Sequence, residues 1–266
     1  MMPDRSSVLL RSADALVRGL GVDPIGIASR APEGCVAGDA LLGEGLAAAL
    51  ATYGARWPGG DPRAVGSDWT KAYFRTVLPP LLAPVFAGVV ITAAPSDLWV
   101  RTEGGEPVAV HLRTGAAVRG EQRDPADLAP FYGALLGRHA ARVVAAVREA
   151  SGLSPRVAWS NLGGLLAFAY RTLAGRPELA GAAARHAEAV LGRPEVPWFD
   201  GRNPLLDPVR TIPVGIPGLP EVAHVRRVCC LRDRLGQTLC LSCPRLDLDG
   251  RVALYRDFLA QRAREA

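Results

Sequence analysis

The pattern of apolar and polar positions divides the chain into a run of helices with one clear hairpin. Residues 6–20 read as an amphipathic helix, capped by Ser6 or Ser7 and stopped at Gly21. A Gly/Pro-rich connection over 22–38 holds Cys35, and a second helix, rich in small residues, covers about 39–54. After a loop with Pro58, Gly59, Gly60 and Pro62, Ser67 is placed to cap a helix on which Trp69, Tyr73 and Val77 recur every four residues. Residues 98–102 and 107–113 alternate on either side of Glu103-Gly104-Gly105-Glu106, which predicts a β-hairpin. Asp124-Pro125 caps a long helix to about 150, Ser154-Pro155 starts another to about 174, and a third covers about 177–191.

The remaining pattern is less regular. Residues 192–220 hold seven prolines and four glycines, so they form an irregular segment over the surface or shape a cleft. A short strand over about 221–228 and a final exposed helix over about 252–264 complete the chain, with no internal repeat. The expected class is α+β, mostly helical with a small antiparallel β-sheet. Residues 1–220 are expected to form the helical domain with a cleft, and 221–266 a C-terminal segment ending in a helix.

Composition supports a globular chain: 266 residues, 49% apolar and 21% charged, enough to bury a core. The net charge of +5 and pI near 9.2 raise a nucleic-acid or anionic-membrane partner. Lys71 is the only lysine, however, and the arginines are spread without a basic, aromatic-interleaved stripe, so no nucleic-acid partner is expected. The start of the chain carries Asp4 and lacks the apolar run of a secretory signal. The longest uncharged run, 76–96, contains Pro79, Pro80, Pro84, Gly88 and Pro95, which fits a broken, buried segment better than a membrane span. A cytoplasmic protein is expected, in which thiols stay reduced and clustered cysteines mean metal.

The cysteines supply that cluster. Cys229 and Cys230 are adjacent, nine residues follow, and Cys240 and Cys243 form a C-x2-C step. Such a step lets two sulfurs from one turn reach a metal, and the second pair completes four ligands. Thiolates alone suit structural zinc or an iron–sulfur cluster, and the spacing leaves both open with a tilt toward the cluster. Cys229 and Cys230 point apart if extended, which places them on different irons of such a cluster.

The order Cys-Cys, a short gap, then Cys-x2-Cys, preceded by Arg226-Arg227 and followed by Leu231-Arg232, resembles the C-terminal signature of the FhuF-like ferric-siderophore reductases. Two earlier pieces are similar to the same family: the helix from Asp68-Trp69 through Tyr73-Phe74-Arg75 to Leu78-Pro79-Pro80, and Trp159-Ser160-Asn161. The resemblance spans roughly residues 60–245, and the gap between Cys230 and Cys240 is one residue shorter than the family's usual one. It implies a [2Fe–2S] cluster on Cys229, Cys230, Cys240 and Cys243. It also implies one-electron reduction of ferric iron in a hydroxamate siderophore, which releases the iron as the weakly held ferrous ion.

A thiolate-bound [2Fe–2S] cluster is an anion that gains negative charge on reduction. Arg226, Arg227, Arg232 and Arg234 outnumber Glu221 and Asp233 around the motif, favouring the reduced form or docking an acidic electron donor. Trp69 and Trp159 are candidates to stack on the siderophore or line its cleft, although Trp159 shares a helical face with Leu162, Leu166 and Leu173 and reads more readily as core. Asn161 is a contact or a local polar bond, and His224 a neighbour of the metal site or an ordinary surface residue. Lys71 and Arg75, one turn apart, are placed to meet a carboxylate, which makes Arg75 a candidate substrate contact, or form an ordinary solvated face, while isolated Cys35 reads as a small buried hydrophobe.

The sequence holds no G-x-S-x-G, Walker loop, H-E-x-x-H or G-x-G-x-x-G. Electrons must therefore come from another protein, such as a ferredoxin or a ferredoxin/flavin reductase. Two other readings use the same thiols: a [2Fe–2S] electron-transfer or redox-sensing protein without a siderophore substrate, and a siderophore-binding module with structural zinc.

Overall fold

The computed structural model describes residues 5–120 and 128–265. It opens with α1 (Arg5–Gly19), β1 (Gly26–Ala28), β2 (Cys35–Ala37), α2 (Gly38–Leu42), α3 (Gly45–Gly54) and the long α4 (Pro62–Leu82). A 3-10 turn leads into β3 (Val90–Thr92), the hairpin β4 (Leu98–Glu103) and β5 (Glu106–Arg113), and β6 (Ala117–Arg119). Next come α5 (Ala129–Tyr132), a π-helical stretch Gly133–Ala140, α6 (Ala141–Ser151), α7 (Pro155–Ala174) and α8 (Pro177–Ala187). The chain finishes with β7 (Val209–Pro213), β8 (Val222–Arg226) and α9 (Leu248–Glu265). The class is the expected one, mostly helical α+β with small, mainly antiparallel sheets.

The structure corrects several expected boundaries. Ser67 does not cap α4. The cap is Asp61, whose carboxylate accepts the Arg63 N–H at 2.9 Å, with Pro62 at the first helical position where a missing N–H costs nothing. Residues 22–38 are not only a connection, because β1 and β2 lie within them. There β1 pairs parallel with β5 and β2 antiparallel with β4, giving the sheet order β1-β5-β4-β2. The helix expected over 39–54 breaks at Gly43 into α2 and α3. The irregular segment 192–220 contributes β7, which pairs with β8 from Val209↔Arg226 to Pro213↔Val222. The cap expected at Asp124-Pro125 lies outside the described residues.

Helix α4 is buried on nearly every side, as expected of a helix carrying Val65, Trp69, Phe74, Val77 and Leu81 around its circumference. It packs against α3, α6, α7 and the β5 strand of the hairpin. Trp69 is fully buried and donates its indole N–H to the Gly105 carbonyl at 2.9 Å. Gly105 sits at φ +79, and a Cβ there would stand 2.3 Å from the Ala49 carbonyl oxygen, so the hairpin tip can seat on α3 only with glycine at this point. One large core runs from Leu10 to Leu235. A second, small cluster of Val214, Ala223, Val225 and Val252 joins the β7–β8 ladder to α9. Among the described residues no helix is long and apolar enough to cross a membrane.

Candidate metal centre

The cysteine segment leaves the end of β8 and folds back over α4 and α7. Leu231 adopts the left-handed conformation at φ +62, which aims its N–H at Cys229 Sγ, 3.4 Å away, and starts a 3-10 turn over Arg232–Leu235. The C-x2-C step closes on itself through the Cys243 N–H donating to the Cys240 carbonyl at 2.8 Å. Helix α9 clamps this turn from outside. Arg251 is 1% exposed and donates to the carbonyls of Leu241, Cys243 and Leu246. The helix read as exposed from residue 252 begins at Leu248 and is anchored by two buried residues, Arg251 and Val252.

All five cysteines are free thiols. The four clustered ones stand as two pairs, Cys230 against Cys240 and Cys229 against Cys243. Cys230 shares a proton with Cys240, so the Cys230 thiol is pushed up and Cys240 is held well below its ordinary value. The neighbours Cys229 and Cys230 thus face different partners. Among the described residues, no three His, Cys, Asp or Glu side chains converge as the donor set of one ion. Four sulfurs in two neighbouring pairs are a thiolate donor set of the kind that both structural zinc and iron–sulfur clusters use.

Around the inner pair runs a closed chain of hydrogen bonds. Arg226 donates through Nη2 to Cys240 Sγ at 3.3 Å and through Nη1 to Asn161 Oδ1 at 2.9 Å. Asn161 Nδ2 donates to both the carbonyl and the hydroxyl of Ser67 at 3.0 Å, and the Ser67 hydroxyl donates to the Cys230 carbonyl at 2.7 Å. Lys71, one turn along α4, places Nζ 4.0 Å from Cys230 Sγ and 2.6 Å from the Asp68 carboxylate. Burial pushes Asp68 up, but Lys71, the Tyr53 hydroxyl and Arg75 together outweigh it, and the carboxyl is held below its ordinary value.

Arg226 is 7% exposed and, among the described residues, pairs with no carboxylate. Burial alone would lower its pKa, yet the Cys230 and Cys240 sulfurs raise it. A buried guanidinium is costly unless an anion meets it. Thiolates carrying a metal cluster supply that anion, so the donor set and its surroundings fit a [2Fe–2S] group. Gly164 on α7 makes room for the arginine: a Cβ there would lie 3.0 Å from Arg226 Cδ.

The other predicted residues disperse. Arg227 pairs with Asp207 at the surface, Arg234 pairs with Asp61 at 2.7 Å, and half-buried Arg232 lies in the 3-10 turn. Trp69 is a core residue under the hairpin. Trp159 is half-buried, edge-on to Phe199 with ring centroids 5.2 Å apart, in a cleft formed with α6. His224 lines a separate cleft with Arg171 and Asp207, where burial and then Arg171 hold its pKa down. Arg75 is exposed at the mouth of an apolar cleft between α4 and α7. Cys35 is half-buried in β2, paired across the sheet with Arg101 and apart from the other four cysteines. Sequence reasoning missed Ser67 and Arg251 and placed Lys71 only against a carboxylate. It also passed over Arg245, whose guanidinium reaches Cys229 and Asp233. The basic residue directly after Cys243-Pro244 was the available signal for that contact.

Residues 67–215 match the family model described as ferric iron reductase FhuF-like transporter. The chain belongs to the FhuF-like family. The match stops before the cysteines, but it contains Ser67 and Lys71, which reach Cys230, and Asn161, which bonds Ser67 and Arg226. No curated protein matches the chain in sequence. Among solved structures, the ATP-bound aerobactin synthetase IucA of a hypervirulent pathotype of Klebsiella pneumoniae is 22% identical with a TM-score of 0.49. A second structure of the same synthetase gives 23% and 0.47, and aerobactin synthetase IucC from that pathotype gives 18% and 0.41. They cover 60%, 60% and 52% of this chain, but only 34%, 34% and 31% of their own. The chain thus spans about a third of these synthetases.

Proposed function

We propose that this FhuF-like protein is a cytoplasmic ferric-siderophore reductase, with residues 221–266 as the cluster-binding segment docked on the helical domain. When bound to Cys229, Cys230, Cys240 and Cys243, a [2Fe–2S] cluster supplies a one-electron carrier for reducing ferric iron in a hydroxamate siderophore. The observation that carries this reading is Arg226, a buried cation among the described residues without a carboxylate, touching Cys240 Sγ in a member of a ferric iron reductase family.

The chain's own groups have defined parts. Cys230 and Cys240 would hold one iron, and Cys229 and Cys243 the other. Arg226 and Lys71 place positive charge beside the inner sulfur pair, which favours an added electron and raises the potential. The Leu231 N–H does the same for Cys229. Arg251 fixes the C-x2-C turn so that the sulfurs need not reorganise between redox states. Ferric hydroxamate is the substrate, and its iron leaves as the less tightly held ferrous ion without a proton transfer from the protein. A ferredoxin or a ferredoxin/flavin reductase supplies the electron.

Stopped-flow mixing of the reduced protein with ferric hydroxamates, with a ferrous trap present, tests the reading. Transfer is expected in the wild type and in Cys35→Ser, and is expected to vanish in Cys240→Ser. Equal loss in both variants contradicts the ligand set, and reoxidation by dioxygen but by no ferric chelate contradicts the substrate.

A further inference from the structure

The face of α4 that touches the cysteines continues into a cleft. Ser67, Lys71, Arg75, Leu78 and Leu82 follow one another at three- and four-residue steps, so they share one side of the helix. On α7, Asn161, Leu165 and Phe168 do the same. The two helices are tied at one end by the Asn161–Ser67 bonds beside Cys230. Further along they part to leave a cleft of about 270 Å³, lined by Phe74, Leu78, Leu82, Leu165, Phe168 and Leu173.

The composition of this cleft is lopsided. Its walls are almost all hydrocarbon, with Thr172 the polar exception among the described residues besides Arg75, and Phe168 stands 61% exposed on its edge, a costly placement for a large apolar side chain. Among the described residues its only charged lining residue is Arg75, one helical turn beyond Lys71 and on the side of the cysteines. Lys71 and Arg75 against Asp68 leave net positive charge between the sulfurs and the apolar cleft. A ligand fitting both parts has an anionic or strongly polar head and a hydrocarbon tail.

We propose that the cleft between α4 and α7 binds the acyl tail of an amphiphilic ferric hydroxamate siderophore, holding its chelate head at Lys71 and Arg75 beside the cysteines. The assignment of the head rests on the reductase reading; the assignment of the tail rests on the cleft. It makes substrate selection a matter of apolar contact, with each methylene buried worth about fourfold in affinity.

The test uses redox-inert gallium(III) complexes of one linear trihydroxamate bearing either an acetyl or a decanoyl group, titrated calorimetrically into the cluster-loaded full chain below the micelle threshold. The decanoyl complex is expected to bind at least about 100-fold more tightly. Ala169→Phe, filling the cleft from a half-buried wall position, is expected to cut that preference below about tenfold. Phe168→Ser, at an exposed position that cannot disturb the core, is expected to reduce it about tenfold. Equal affinity of the two complexes, or a decanoyl preference insensitive to both variants, overturns the proposal. A decanoyl complex that binds as expected while its ferric counterpart is not reduced overturns the reductase reading and leaves the cleft assignment standing. Reduction of both ferric complexes with equal affinities does the reverse.

Discussion

Arg226 and Arg227 are neighbours in sequence with opposite fates. One is buried between a sulfur and an amide, and the other pairs with Asp207 at the surface. Their local sequence is the same; what separates them is Asn161, 65 residues upstream, and Gly164, which leaves space for the arginine stem. Charge counting therefore reached the right group of arginines without singling out the one that matters. Arg226→Met is expected to lower the midpoint potential of the reconstituted protein by about 60–120 mV, one to two tenfold steps of a one-electron couple. Arg227→Met should leave it where it was, since a surface ion pair contributes little. Gly164→Val, which pushes on Arg226 without touching its charge, should shift the potential in the same direction. Protein-film voltammetry on the three variants reads all of this, and equal shifts for Arg226→Met and Arg227→Met would contradict the account.

At the scale of elements, the legible parts were those whose signal is local. The hairpin at Gly104-Gly105 and the start of α7 at Ser154-Pro155 are written in turn and cap chemistry, and both stand where that chemistry puts them. Strands β1, β2 and β7 are three to five residues long, too short for periodicity to show them, and β1 and β2 pair with segments far along the chain. The start of α4 was misplaced because Ser67 is a good cap residue used instead to hold Cys230 from inside the helix. Helix α9 looked exposed because its burial consists of two residues, Arg251 and Val252. That anchor is testable: Arg251→Met removes three hydrogen bonds to the carbonyls of Leu241, Cys243 and Leu246, at a cost of roughly 2–4 kcal/mol concentrated in the C-terminal unit. Hydrogen exchange should accelerate across 240–252 while α4 and α7 keep their protection. Uniform acceleration throughout the chain would mean that α9 does more than clamp the cysteine turn.

The whole molecule is organised so that the FhuF-like helical body grips a cysteine segment lying outside the matched residues. Its stability carries a pH signature of its own. His139 is buried against the Tyr73 hydroxyl at 2.8 Å, and burial drives its pKa from 6.5 down to about 4. A histidine held neutral in the fold but free to protonate when unfolded contributes stability that is full above pH 6.5 and drains away as pH falls toward 4. Thermal unfolding should lose up to roughly 3 kcal/mol across that window, and His139→Gln should flatten the decline. His224, also held low, adds in the same direction. The account as a whole stands on what the four paired thiols hold. Electron paramagnetic resonance of anaerobically reconstituted protein tests this most directly. The account predicts a silent oxidised form and, after dithionite, a signal of about one spin per chain with two irons and two labile sulfides. A colourless protein carrying stoichiometric zinc and no spin in either state would contradict it.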